Sequence, residues 1–198
     1  MATVKPNRET VLAAYADGLQ AVERVADRVT DWSAPTSCRG WDAVDLAGHL
    51  FVVARYYNDL LDAAEAARPR TRLPSGSALA SMNARELIAL PPTPGPERIA
   101  AFLGLALHYG HRLAGADWHL TLGDWEGLGT MSLADHTGLA IGEWHIHAWD
   151  LARSAGHDHH PADAATIAAG RSVLGGRPPK GDPWLAMLIG SGRSPTSP

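Results

Sequence analysis

The chain has 198 residues, 45% of them hydrophobic, and a formal net charge of −4, enough for a buried core in a single domain over residues 1–198. Its Lys and Arg residues are scattered rather than gathered into a basic stripe, so nucleic acid is not an expected partner. No apolar run reaches the ~20 residues of a membrane span, and the start MATVKPNRET lacks a basic-then-apolar leader, so a cytoplasmic protein with no membrane partner is expected.

The first element is an amphipathic helix: Val11, Leu12, Tyr15, Leu19, Val22, Val25, Ala26 and Val29 recur at three- and four-residue spacing. DWSAPTSCRG interrupts the pattern with Pro35 and Gly40, after which Asp42 caps a second helix with Asp45 three residues on, a variant of the capping box. That helix carries Ala47, Leu50, Phe51, Ala54, Tyr57, Leu61 and Ala64 on one side. Residues 68–96 are rich in Pro, Ser and Gly and read as a long crossover with one short helix at 83–90. Ile99, Phe102, Leu103, Ala106, Tyr109 and Leu113 mark the third main helix. TLGDWEGLGTMS forms a small hairpin or a loop, and Leu133, Ile141, Trp144, Ala148 and Leu151 mark the fourth. A weaker helix is predicted over residues 161–174, and PWLAMLIG reads as a short apolar helix. No strand alternation is strong enough to build a sheet. The expected fold is therefore an all-α four-helix bundle with a long crossover connection and short extra helices.

The stretch GEWHIHAWDL falls on the fourth helix. At roughly 100° per residue, with Glu143 at zero, His147 lies at about 40°, Asp150 at about 340° and His136 at about 20°, forming one polar stripe. The apolar residues of the same helix fall at about 80–160°, so the stripe borders the buried face, whereas His145, near 200°, points elsewhere. Burying a carboxylate beside an imidazole costs several kcal/mol unless each is paired, and a divalent metal satisfies both. His49, among Leu46, Leu50 and Val53 on the second helix, supplies a third donor. Taken alone it would be a satisfied core histidine. Together with Glu143 and His147 it matches catalytic zinc sites that use three protein ligands and leave a fourth position open.

The segments WSAPTSCRGWDAVDLAGHL, GEWHIHAWDLARSAG and DPWLAMLIGSGRSP resemble the mycothiol-dependent maleylpyruvate isomerase N-terminal family of the DinB-like superfamily. The resemblance implies a DinB-like four-helix bundle and a divalent metal held by His49, Glu143 and His147, with zinc the first choice and nickel an alternative. It also implies mycothiol as thiol co-substrate, a small-molecule electrophile as substrate, and an actinobacterial origin. In that chemistry the metal deprotonates the thiol, and the sulfur attacks the electrophile in a transferase or isomerase reaction. A hydrolase that activates water, and a protein that binds metal or a small molecule without turnover, are the alternatives.

Asp150, one turn from His147, is placed to orient that imidazole through its ring N–H, or else to cap a neighbouring helix or pair with Arg153 or Arg55. His136 reads as a polar residue lining the cleft, with an alternative ligand or proton shuttle as the other assignments. Cys38, the single cysteine, reads as a small packing residue. His157, His159 and His160, in GHDHHP, read as a loop with adventitious surface affinity for metals. Trp41 and Trp149 are placed around the site. The chain has no GxSxG, no Walker loop and no GxGxxG before a strand, so serine-hydrolase and nucleotide chemistries lack support. A monomer or a homodimer is expected.

Overall fold

The computed structural model describes residues 7–69, 71–127, 129–162 and 182–194. Its elements are α1 (Arg8–Ala26), α2 (Ala43–Glu65), β1 (Thr71–Leu73), α3 (Gly76–Ala89), α4 (Gly95–Gly115), β2 (Thr121–Trp125), β3 (Gly129–Ser132), α5 (Leu133–Ser154) and α6 (Pro183–Gly190). The four long helices predicted from periodicity are α1, α2, α4 and α5. Among them α2 packs most extensively on α4 and α1 on α5, with α1 also against α4 and α2 against α5. This order is not sequential, and the residue 68–96 crossover makes it possible. No helix among the described residues is long and apolar enough to cross a membrane.

The predicted core residues pack where the helical period puts them. Trp144, Tyr109 and Phe102 are the bulkiest fully buried side chains, and Leu133, Ile141, Ala148 and Leu151 are equally buried along α5. Truncating one of the large aromatics to Ala would cost ~3–5 kcal/mol. Gly110 allows α4 close to α1, since a Cβ there would lie 2.9 Å from the Tyr15 ring. At the same contact the Tyr15 hydroxyl donates to the Ala106 carbonyl at 2.8 Å.

Helix α2 starts where the sequence placed it. The Asp45 amide donates to Asp42 Oδ1 at 2.8 Å and the Asp42 amide to Asp45 Oδ2 at 3.4 Å, completing the capping box. The preceding loop folds back on this start, with the Trp41 amide on the Cys38 carbonyl at 3.0 Å. Gly40 takes the third position of that turn with φ +83°, a conformation that favours glycine. Cys38 is thereby held beside the helix.

Two expectations need correction. There is a sheet: β1 pairs parallel with β2, and β2 antiparallel with β3 in the hairpin of TLGDWEGLGTMS. Its strands have three to five residues, too few for alternation to show, and the β1–β2 pairing joins segments about fifty residues apart. The crossover helix α3 also starts at Gly76, earlier than the predicted residue 83, and has no buried residue. The helix predicted over residues 161–174 lies outside the described residues except for 161 and 162, which are not helical. PWLAMLIG is α6, docked through Trp184, Met187 and Leu188.

Candidate metal centre

Helices α2 and α5 bring His49, Glu143 and His147 together. His147 Nε2 lies 3.2 Å from Glu143 Oε2 and His49 Nε2 lies 3.8 Å from the same oxygen. The two imidazoles meet edge to face, centroids 4.9 Å apart, and one donor atom from each of the three residues lies within 4.8 Å of the others. Tetrahedral zinc with bonds of ~2.0–2.2 Å separates its ligands by about 3.3–3.5 Å, so these donors fit a divalent ion with small side-chain adjustments. Both histidines are buried, whereas the Glu143 side chain keeps 31% of its surface exposed, towards a cleft. Trp41 packs on His49 with centroids 4.8 Å apart.

The electrostatics follow from the donor set. Desolvation pushes the Glu143 carboxyl up, but His147 and then His49 outweigh it and hold the group well below the usual carboxylate range. Burial alone would lower the His147 pKa; its hydrogen bond to Asp150, with Cys38 and Glu143 beside it, raises it well above the ordinary 6.5 instead. His49, without a second carboxylate beside it, is lowered by desolvation despite Glu143. His147 thus has a carboxylate on each side, Glu143 at Nε2 and Asp150 at Nδ1.

Behind His147, Asp150 Oδ2 lies 2.9 Å from Nδ1. This is the orienting contact expected of Asp150, but its cationic partner is neither Arg153 nor Arg55. Arg193 donates to both Asp150 oxygens, from Nε to Oδ1 at 3.2 Å and from Nη2 to Oδ2 at 2.6 Å. Burial would raise the Asp150 carboxyl, yet the contacts from His147 and Arg193 bring it down to about 2. Arg55 instead pairs with Glu86 of α3 at 2.8 Å, and the Arg153 guanidinium sits over the Trp149 ring. Cys38 is half-buried against the core, as expected, but it also lines the cleft, and its thiol donates to Asp150 at 3.2 Å.

His136 departs further from expectation. It is completely buried and does not line the cleft; its Nδ1 lies 3.0 Å from the Tyr109 hydroxyl and its ring meets Tyr57 at 4.3 Å. Burial lowers its pKa to about 3, so it is neutral. His145 points away from the three donors, as the helical angle requires, and its Nδ1 meets His159 Nε2 at 3.1 Å. One histidine of the GHDHHP tract is therefore built into the structure, while His157 and His160 are exposed. Trp149 is buried in the core, and Trp125 rather than Trp149 faces the cleft.

The cleft has a volume of about 880 Å³, with Glu143, His49 and His147 in its wall. Val53 and Tyr57 of α2, Leu73 of β1, Met82 of α3 and Trp125 of β2 line the remainder. The 68–96 segment thus supplies a large share of the wall, and the 118–131 segment contributes Trp125. Arg193 and Trp125 were missed. The signal for Arg193 lay in IGSGR, where a glycine just past an apolar helix turns the next residue back, but nothing local says which buried acid it meets.

Fold and site together define a helical-bundle protein with a buried cluster of two histidines and a glutamate opening on a large cleft. Over residues 12–152 the chain matches the mycothiol maleylpyruvate isomerase N-terminal domain family, and it belongs to that family. It is similar in fold to a crystal structure of the mycothiol-dependent maleylpyruvate isomerase, with a TM-score of 0.58 and 17% identity over 85% of this chain and 70% of that one. No curated protein matches it.

Proposed function

We propose that this protein holds one divalent metal ion, zinc in the first instance, through His49, Glu143 and His147, and uses it with mycothiol to transfer or isomerise a small electrophile in the cytoplasm, the chain acting as one domain. The observation that carries this reading is the convergence of three donor atoms within 4.8 Å in the wall of a cleft of about 880 Å³. Two imidazoles and one carboxylate leave a fourth position free, the pattern of catalytic rather than structural zinc. A divalent ion bound there lowers the pKa of a thiol presented to it, supplying a nucleophile at neutral pH.

The chain's own groups have distinct tasks in this scheme. Asp150 fixes the His147 ring by accepting its Nδ1–H, which leaves Nε2 as the donor facing Glu143. Trp41 limits the freedom of the His49 ring. Val53, Leu73, Met82 and Trp125 give the cleft apolar walls that shield a thiolate from bulk water and take up the carbon skeleton of an electrophile.

Zinc should raise the Tm of metal-free protein and bind at one equivalent per chain by calorimetry. Conversion of maleylpyruvate, the first electrophile to try, should then require both zinc and mycothiol. Turnover with zinc alone would replace this reading with a hydrolase, and tight zinc binding without turnover of any thiol–electrophile pair would replace it with a binding protein.

A further inference from the structure

The imidazole of His147 stands between two sets of metal-binding groups. Its Nε2 faces Glu143 and His49, and its Nδ1 faces Asp150 Oδ2 at 2.9 Å and Cys38 Sγ at 4.0 Å. Cys38, His147 and Asp150 also offer one ligand atom each within 4.8 Å of one another. By distance alone, a metal can sit on either nitrogen. Donor chemistry even favours the second set for zinc, because it includes a soft sulfur.

One cation breaks the tie. Arg193 Nη2 lies 2.6 Å from Asp150 Oδ2, 3.3 Å from Cys38 Sγ and 3.5 Å from His147 Nδ1, touching all three members of the second set. Its Nε reaches the other Asp150 oxygen at 3.2 Å. The guanidinium is a permanent charge in a planar fork, suited to a carboxylate held on two oxygens.

The backbone fixes where this fork is delivered. After α6 the Gly192 amide donates to the Ile189 carbonyl at 3.0 Å and the Arg193 amide to the Leu188 carbonyl at 2.8 Å, the paired bonds of a Schellman motif. Gly192, with φ +83°, occupies the left-handed position the motif requires. Trp184, Met187 and Leu188 anchor the helix in the core. Arg193 is thus presented by a packed element rather than a free tail.

We propose that Arg193 is a positioning residue that closes a second, thiolate-bearing metal site at Cys38, His147 and Asp150 and so confines a bound metal to the Nε2 side of His147. It occupies the place of the ion, engages both Asp150 oxygens and keeps the Nδ1–H of His147 on Asp150. The side on which the metal is confined rests on the ligand set proposed above; the closed second site does not.

Cobalt(II), added without any thiol, tests this. Wild-type protein should bind one equivalent and show no sulfur-to-cobalt charge-transfer band in the near ultraviolet. Arg193→Met should gain that band, Arg193→Lys should lack it, and Arg193→Met combined with Cys38→Ser should lose it. A band already present in wild type, or an Arg193→Met protein that binds cobalt with wild-type affinity and no band, overturns the proposal. If wild type takes no cobalt but Arg193→Met gains the band, the closed site stands and the His49–Glu143–His147 centre falls. If no protein takes cobalt, both fall. Should Arg193→Met not fold, ¹⁵N shifts of His147 in zinc-loaded wild type decide: Nδ1 protonated with Nε2 on the metal is expected, and the reverse overturns the proposal.

Discussion

Two of the three histidines of helix α5, His145 and His147, stand two residues apart in opposite electrostatic situations. His147 lies within 3.2 Å of one carboxylate oxygen and 2.9 Å of another, and its pKa rises well above 6.5 in spite of burial. His145 is buried to 1% exposure beside the imidazole of His159, and its nearest carboxylate, on Asp17 of α1, stands 3.7 Å from Nε2. Desolvation, with His159 and then Arg24 adding to it, lowers His145 to about 3. The same residue type on the same helix thus becomes a cation-seeking donor or a neutral packing group, depending on whether its own helix places carboxylates at i−4 and i+3. Burial marks both; only the acids mark the site.

The comparison breaks most sharply at the donors themselves. His49→Ala, Glu143→Ala and His147→Ala should each abolish stoichiometric zinc binding in calorimetry, whereas His145→Ala should leave affinity within a few-fold of wild type. Full retention by His147→Ala would remove the distinction between the two faces. The tract belongs on the His145 side of this divide. Changing His157, His159 and His160 together to Ser should strip only weak, excess zinc and leave one tight equivalent.

Acid should act on the other face. In the folded chain His145 and His159 are neutral, with pKa values lowered to about 3 and about 4, the latter first by desolvation and then, among nearby charges, raised by Asp17 and lowered by Arg24. The unfolded chain takes up protons on these groups from about pH 6.5 downwards, so it binds more protons than the native state over pH 6.5 to 4, and stability falls with pH across that window. At ~1.4 kcal/mol per pKa unit, His145 alone accounts for a loss of about 3 kcal/mol by pH 4. Urea titrations between pH 7 and 4 should show a loss at least that large, since burial lowers His136 to about 3 as well, and His145→Phe should reduce it by the His145 share. An unchanged slope in the variant would mean that other groups carry the acid sensitivity.

Much of this was legible in the sequence, for reasons of range. The long helices, the Asp42–Asp45 box and the shared face of Glu143 and His147 depend on contacts within one or two turns, where 3.6-residue arithmetic holds. His49 was found because its own helix placed it on the apolar side. Contacts across the molecule left no local trace. Arg193 meets Asp150 from 43 positions away, and β1 finds β2 with three residues of pattern. His159 reads as part of a surface loop because Gly156 and Pro161 say where a chain turns and not what it turns against. His136 followed the stripe in angle, but it lies two turns nearer the start of α5, where Tyr57 and Tyr109 fill the space that further along is cleft.

Between these effects in size stands the group behind His147. Asp150→Asn keeps the shape but weakens the acceptor for Nδ1–H and leaves Arg193 without its carboxylate. Loss of such an orienting carboxylate typically costs 10–100-fold in metal affinity. Calorimetry on the folded variant should show zinc affinity reduced within that range, while the acid sensitivity carried by His145 stays. Unchanged affinity would show that the carboxylate does not set the ring's donor strength.

The smallest effect expected probes whether the two faces of α5 are independent. Gly18 of α1 sits against the His145 side, where an added Cβ would lie 3.0 Å from Trp144 Cβ and 3.5 Å from the His145 ring. Gly18→Ala gains up to ~1 kcal/mol of helix propensity, but it must push α1 from α5 by a few tenths of an ångström at a fully buried tryptophan, and crowding of this kind costs ~1–3 kcal/mol. The net should be a loss of about 1 kcal/mol, seen as a fall of about 2–4 °C in the Tm of the metal-free protein. Zinc affinity should not follow, because the donors come from α2 and the opposite face of α5, and α1 contributes none. A parallel drop of ten-fold or more in zinc affinity would show that α5 transmits displacement across its own width, and the two histidine clusters would then have to be treated as one coupled unit.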